Sequence, residues 1–233
     1  MFLNDFLQLL KTTAKICSHL KCLPCEYDVQ KQRLVRIRGR QIIIFRIQCI
    51  LSVLYCVVMF LNLALGSFQL IEKLIGVPFL LMYINVTNAG WNFDLDTTPI
   101  QVINGFMQFE VTQARGQDTP GDQNISSTTR GMKMFLQLIN VSVAVMPLLI
   151  LGLVTYRPCS PPFLLSIIPN CEAILCSFHW ARDGIVLGVH LLETWIAWQM
   201  LFSGFTWIGF AYCAGIACVL DYYTILKRYT YPS

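Results

Sequence analysis

The chain has 233 residues, 55% of them hydrophobic and 13% charged, with a mean hydropathy of +0.57. A soluble domain carries about 25% charged residues, so too few remain here to cover a water-facing surface, and one membrane-embedded domain fits the length. The net charge is +4, yet nine of the 17 Lys and Arg fall within the first 46 residues. Directly ahead of an apolar span, that cluster is a positive-inside signal and a contact for anionic headgroups, not a nucleic-acid surface.

Residues 1–20 place Phe2, Phe6, Leu9, Leu10 and Ile16 at helical spacing, with Lys11 and Lys15 between. The segment does not read as a secretory signal, since the basic start is missing and the apolar run is short and interrupted. Two readings stay open: an amphipathic helix lying on the bilayer surface, or a flexible or soluble-packed terminus. From Ile47 to Leu65 nineteen residues pass without a charge. At about 1.5 Å per residue they cross a hydrocarbon core of about 30 Å, with Arg40 and Arg46 at the cytoplasmic headgroups.

A second apolar run, 74–90, contains Pro78, Asn85 and Asn88. It reads as a packed helix whose polar groups turn toward neighbours, with a re-entrant segment as the alternative. Residues 91–131 are the longest polar stretch, and Gly116, Pro120 and Gly121 break regular structure there. Ahead of them Ile100, Ile103, Phe106 and Phe109 keep a helical rhythm, so the preceding helix extends or restarts beyond the membrane. A third span, 134–156, is charge-free over twenty-three residues and holds Pro147, which membrane helices tolerate. After Arg157-Pro-Cys-Ser-Pro-Pro162, residues 163–178 are apolar but interrupted by Pro169 and Glu172, an interfacial or pocket-facing segment. The last span is placed at 194–220. Trp195, Trp198 and Trp207 are read as headgroup anchors, and Ala211 with Gly215 as a small-residue contact for another helix.

The fold class is therefore all-α: a polytopic transmembrane helix bundle of about four spans. Residues 1–46 form a basic, amphipathic cytoplasmic segment, 47–220 the bundle (47–65, 74–90, 134–156, 194–220), and 221–233 a short cytoplasmic tail. With the N-terminus inside, cytoplasmic segments hold fourteen Lys and Arg and outer loops three, Lys73, Arg157 and Arg182, which sets the orientation. If 74–90 only dips into the bilayer, the count becomes three and the loop carrying Asn124 moves outside.

Cys17, His19, Cys22 and Cys25 have the residue types of a zinc site, but nine residues are tight for four ligands. Lipidation and plain free thiols are the other readings, and no metal or cofactor is expected. Cys159, Cys171 and Cys176 fall in the outer loop, where one disulfide is allowed and the pairing is open. Sequons start at Asn85, Asn124 and Asn140. His179 and Asp183 lie four apart, but no nucleophile or metal set accompanies them, so no enzyme is read. Glu193 and His190, just ahead of the last span, and Glu172 are the ligand-pocket candidates.

Leu23-Pro24, Tyr27-Asp28 and Arg33-Leu34-Val35 precede a first span opening on Arg46-Ile47. The stretch Thr98-Pro-Ile-Gln-Val-Ile-Asn-Gly-Phe106 with Phe109-Glu110 lies between the second and third spans. In this order the features resemble the N-terminal half of the arthropod gustatory and odorant receptor-like superfamily. The resemblance implies a cytoplasmic N-terminus, seven helices, tetrameric assembly and a ligand-gated cation channel. Tyr229-Thr230-Tyr231 is not the family's last-helix signature, so no pore residue carries over, and a truncated form is one expectation. The sequence thus leads to a chemosensory receptor-like protein of the plasma membrane, in contact with the lipid bilayer, a small-molecule ligand and a homo- or hetero-oligomeric partner. The alternative is a four-helix scaffold or accessory subunit without a ligand.

Overall fold

The computed structural model describes residues 7–116, 127–168, 171, 180–209, 215–216, 219–220 and 223. In chain order the elements are α1 (Leu7–Leu20), β1 (Cys25–Asp28), β2 (Arg33–Arg36), α2 (Arg40–Leu65), α3 (Leu70–Gly90), α4 (Thr98–Gly116), α5 (Ser127–Tyr156), a 3-10 turn (Leu164–Ile167) and α6 (Trp180–Thr206). The fold is all-α apart from one hairpin. Among the described residues, Arg40–Leu65, Leu70–Gly90, Arg130–Tyr156 and Gly184–Gly209 are long and apolar enough to cross a membrane. This is the architecture of a multi-pass membrane protein.

Two of these helices differ from their sequence reading. The 74–90 run is the body of an unbroken 21-residue helix that accommodates Pro78. It starts four residues earlier because Glu72 folds back to accept the Gln69 amide at 3.1 Å, satisfying an orphan donor of the first turn. The last long helix starts at Trp180, with its apolar window at Gly184–Gly209 rather than 194–220. Glu193 is the reason. Read as a charge it ends a span, but its carboxyl is enclosed by protein and hydrogen-bonded to it, so the helix carries it inside.

The chain forms two compact units. One comprises Met1–Phe45, Asn92–Val141 and Phe205–Ser233, the other Arg46–Trp91 and Ser142–Gly204. In the first unit, α1 buries Leu7, Leu10, Thr13, Ala14 and Cys17, a stripe at the i, i+3, i+7 spacing of one helix face. That face meets protein: Thr13 Oγ1 donates to Asn140 Oδ1 at 3.3 Å, and Cys17 Sγ lies 3.7 Å from Thr206 Oγ1. Ile16, counted in the apolar spacing of the sequence, is exposed.

The hairpin pairs Cys25 with Arg36 and Asp28 with Arg33 in antiparallel register. Asp28 makes its turn, its Oδ1 accepting the amides of Gln30 at 2.9 Å and Lys31 at 3.1 Å, as Asx turns do. Beyond β2, Asn104 of α4 acts as a further rung. Its Oδ1 accepts the Leu34 amide at 2.8 Å and its Nδ2 donates to the Leu34 carbonyl at 2.9 Å. Ile100, Ile103 and Met107 flank it as the buried stripe of α4. The helix restarts because Asp96 Oδ1 accepts both the amide and the hydroxyl of Thr98, at 2.9 and 2.7 Å, and Pro99 suits a first turn. Those bonds hold the fully exposed Asp96 carboxyl below its ordinary range.

In the second unit, α2 turns Ser52, Tyr55, Cys56, Met59 and Asn62 inward, again one helix face. The opposite face, with Val53, Leu54, Val57 and Phe60, is exposed and suits lipid contact. Half of the α6 window is buried, against 22% for α3 and for α5, so α6 is the interior helix. It meets α3 through small residues. A Cβ on Gly204 would stand 2.9 Å from Val86 Cα, and one on Gly90 3.1 Å from Ser203 Cβ, the close approach that small residues permit between membrane helices. Trp198 is not a headgroup anchor: its Nε1 donates to the Ala144 carbonyl of α5 at 3.2 Å. Trp207, in the first unit, is buried. Ala211 lies outside the described residues, and Gly215 faces the Phe106 ring.

Candidate functional site

The second unit holds an open cleft of about 970 Å³. Its walls are the end of α2, the start of α3 and the connection from Cys159 to Cys171. Val58, Leu61, Phe68 and Ile167 supply an apolar lining, and Asn62, Ser67, Ser166 and Glu72 supply polar groups.

The connection is held in place at three points. Cys159 and Cys171 form a disulfide and both line the cleft; Cys176, the third candidate, lies outside the described residues. Asn62 Nδ2 donates to the Phe163 carbonyl at 3.2 Å and to Ser166 Oγ at 2.6 Å. Phe163 is fully buried, its ring set edge-on against Phe79 with centroids 5.6 Å apart. Gly76 gives the connection room, since a Cβ there would come within 3.4 Å of the Pro161 carbonyl.

The third tether comes from α6. Glu193, 0% exposed, accepts the Leu164 amide on Oε1 at 2.6 Å, short for an N–H···O bond. The Tyr55 hydroxyl donates to the same oxygen at 3.5 Å. Tyr55 also packs edge-on against Tyr83, 5.4 Å between centroids. Glu193 Oε2, His190 Nε2, Tyr83 OH and Gln199 Oε1 are buried without a hydrogen-bond partner. Gln199 keeps a bond from its Nε2 to Ser52 Oγ at 3.4 Å.

The three ligand-pocket candidates therefore separate. Glu193 and His190 lie inside the Gly184–Gly209 window, and neither lines this cleft. Glu172 lies outside the described residues. Asn62 and Ser166, which the sequence reading passed over, are among the polar groups that line the cleft, with Ser67 and Glu72. Asn62 carried a readable signal, a carboxamide in an otherwise apolar span, since such a group needs a partner inside the membrane.

The other clusters disperse. Cys17, Cys22 and Cys25 are buried free thiols, while the exposed His19 turns Nδ1 onto the Lys15 carbonyl at 2.7 Å. Burial raises the Cys22 thiol well above its ordinary value and pushes Cys25 up to about 12, so both are held as neutral thiols near neutral pH. Among the described residues no group of three or more His, Cys, Asp or Glu is placed to hold a metal ion. Asn85 donates to the Leu81 carbonyl of its own helix at 2.8 Å, whereas Asn124 and His179 lie outside the described residues. No family model, curated protein or solved structure matches this chain.

Proposed function

We propose that this protein is a receptor-like, chemosensory type of membrane protein that takes a small amphipathic molecule in the cleft beside the Cys159–Cys171 disulfide. The observation that carries the reading is the cleft itself. Its volume, about 970 Å³, falls within the few hundred to about 1,000 Å³ of small-molecule sites, and it sets a few polar groups in an apolar lining. The disulfide supports an outward-facing cleft at the plasma membrane, because such bonds persist in oxidising compartments. With four spans, an outward cleft goes with a cytosolic N-terminus, which the Lys and Arg distribution also supports. The reading assigns no catalysis.

The test is thermal unfolding of the purified protein against a panel of terpenes, alkaloids and short-chain esters. Stabilisation by panel members, lost when Ile167→Trp fills the cleft, is expected. Stabilisation that survives Ile167→Trp removes the cleft as the site. An accessory-subunit reading draws on α3, whose apolar window is only 22% buried and so offers a face to a partner helix as readily as to lipid. Crosslinking from Leu74 and Leu81 separates the two: a defined protein adduct favours the subunit, lipid adducts alone the receptor.

A further inference from the structure

The second unit holds one acidic side chain deep inside a membrane-spanning helix, and the geometry around it is uneven. Glu193 Oε1 receives two donors, the Leu164 amide at 2.6 Å and the Tyr55 hydroxyl at 3.5 Å. Oε2 receives none. Buried polar atoms are nearly always paired, so an orphan carboxylate oxygen points to a missing partner. Ionisable groups kept within spans mark ion or proton sites by default.

From α2 the titratable group facing Glu193 is Tyr55, with Tyr83 next to it from α3. On α6 itself His190 lies one turn away, its Nε2 also without a partner. The tether segment presents a backbone amide, and α5 from Ser142 to Tyr156 has no acidic or basic side chain. Among the described residues no lysine or arginine forms an ion pair with Glu193. Around Glu193 the orphan atoms Oε2, Tyr83 OH and His190 Nε2 are groups that one or two ordered waters would satisfy, since a buried water makes about three hydrogen bonds in a polar site.

We propose that Glu193 is a proton-binding site inside the fourth span, and that its protonation state sets how tightly the cleft wall at Phe163–Ser166 is held. In the ionised state the carboxylate grips the Leu164 amide through a charge-assisted bond. A proton arriving from water on Oε2 turns the carboxylate into a neutral acid, and the grip falls to that of an ordinary amide bond. The proton is the only species gained or lost. The site stands whether or not the cleft takes a ligand, because its two readouts involve the carboxyl and the tether alone.

The test uses the full chain in nanodiscs titrated between pH 4 and 9, read by infrared difference spectroscopy and by hydrogen exchange. Wild type is expected to gain a carboxylic-acid C=O band on acidification, shifted by 13C-glutamate and absent from Glu193→Gln. Protection of the Leu164 amide, corrected for the intrinsic pH dependence of exchange, falls roughly five- to tenfold over the same pH range, as a charged acceptor becomes neutral. His190→Gln keeps both changes. Glu193→Asp, whose shorter side chain keeps the acid but not the reach to Leu164, keeps the band and loses the pH dependence of protection. A wild-type protein with no such band, or with pH-independent protection at Leu164, overturns the proposal, and so does a step that survives Glu193→Gln but vanishes in His190→Gln. The wild-type titration decides the matter even if Glu193→Gln does not fold.

Discussion

Replacing Asn104 with alanine removes two bonds at once, because its carboxamide both accepts from and donates to the backbone of Leu34 at 2.8 and 2.9 Å. Each such bond contributes about 1 kcal/mol net, and leaving a part-buried amide or carbonyl unpaired costs about 1–3 kcal/mol. The hairpin edge is partly accessible, so water recovers some of that loss, and a total near 2 kcal/mol is expected for holding β2 on α4. Local opening of β2 then becomes about 30-fold easier, since 1.4 kcal/mol is a factor of ten. Hydrogen exchange followed by mass spectrometry over peptides covering Arg33–Arg36 reads this directly. Asn104→Asp is the informative companion. Its carboxylate still accepts the Leu34 amide but cannot donate to the carbonyl, so the amide stays protected while the unit as a whole is weakened. Exchange of Leu34 in Asn104→Ala within twofold of wild type would refute the view that this side chain closes the hairpin edge.

Three further outcomes are expected. Gly204→Ala brings a methyl to 2.9 Å from Val86 Cα, and overpacking of this kind costs about 1–3 kcal/mol. A lowered melting temperature in detergent is expected, with Gly188→Ala, where nothing lies within 4 Å, as the silent control. Cysteine mapping of native protein, by alkylation before and after reduction, should find Cys159 and Cys171 protected as a pair. Their double serine variant loses about 3 kcal/mol, the loop-closure entropy of a ring of this size. The thiols of Cys22 and Cys25 resist maleimide at pH 8 until the protein is denatured. Because both are raised in the folded state, Cys25 to about 12, the unfolded chain ionises first as pH climbs above 9. Stability therefore falls with rising pH in that range, read as a declining melting temperature.

What could be read from the sequence divides along the range of the interactions involved. The first and third spans declare themselves as charge-free runs, since lipid acts on every residue alike. The restart at Thr98 was also visible, in the Ile100 and Ile103 rhythm, because the helix and its Asp96 cap are local. The hairpin was not. Its strands, Cys-Glu-Tyr-Asp and Arg-Leu-Val-Arg, are four residues each, charged, and joined without a glycine. They are held by Asn104 seventy residues away, a contact no local pattern announces. Glu193 misled for the same reason in reverse. Its partner, the Leu164 amide, is remote, so by composition alone the residue looked like the boundary of a span. The cleft followed suit: its cysteines were evident, while the pairing and the role of Asn62 depend on how α2 and the connection meet.

The Leu164–Glu193 joint also imposes an order on synthesis. Cys159, Phe163 and Cys171 leave the ribosome before any of α6 exists, so the covalent ring of the cleft wall can close first, in whatever compartment oxidises it. Glu193 then enters the bilayer as a lone acid, at an insertion cost of a few kcal/mol for an acidic residue at a helix centre, and stays costly until it finds the waiting amide. A nascent chain arrested before α6 docks would thus be a disulfide-closed species with an unmet acid in its last helix, which quality-control machinery could recognise by that charge.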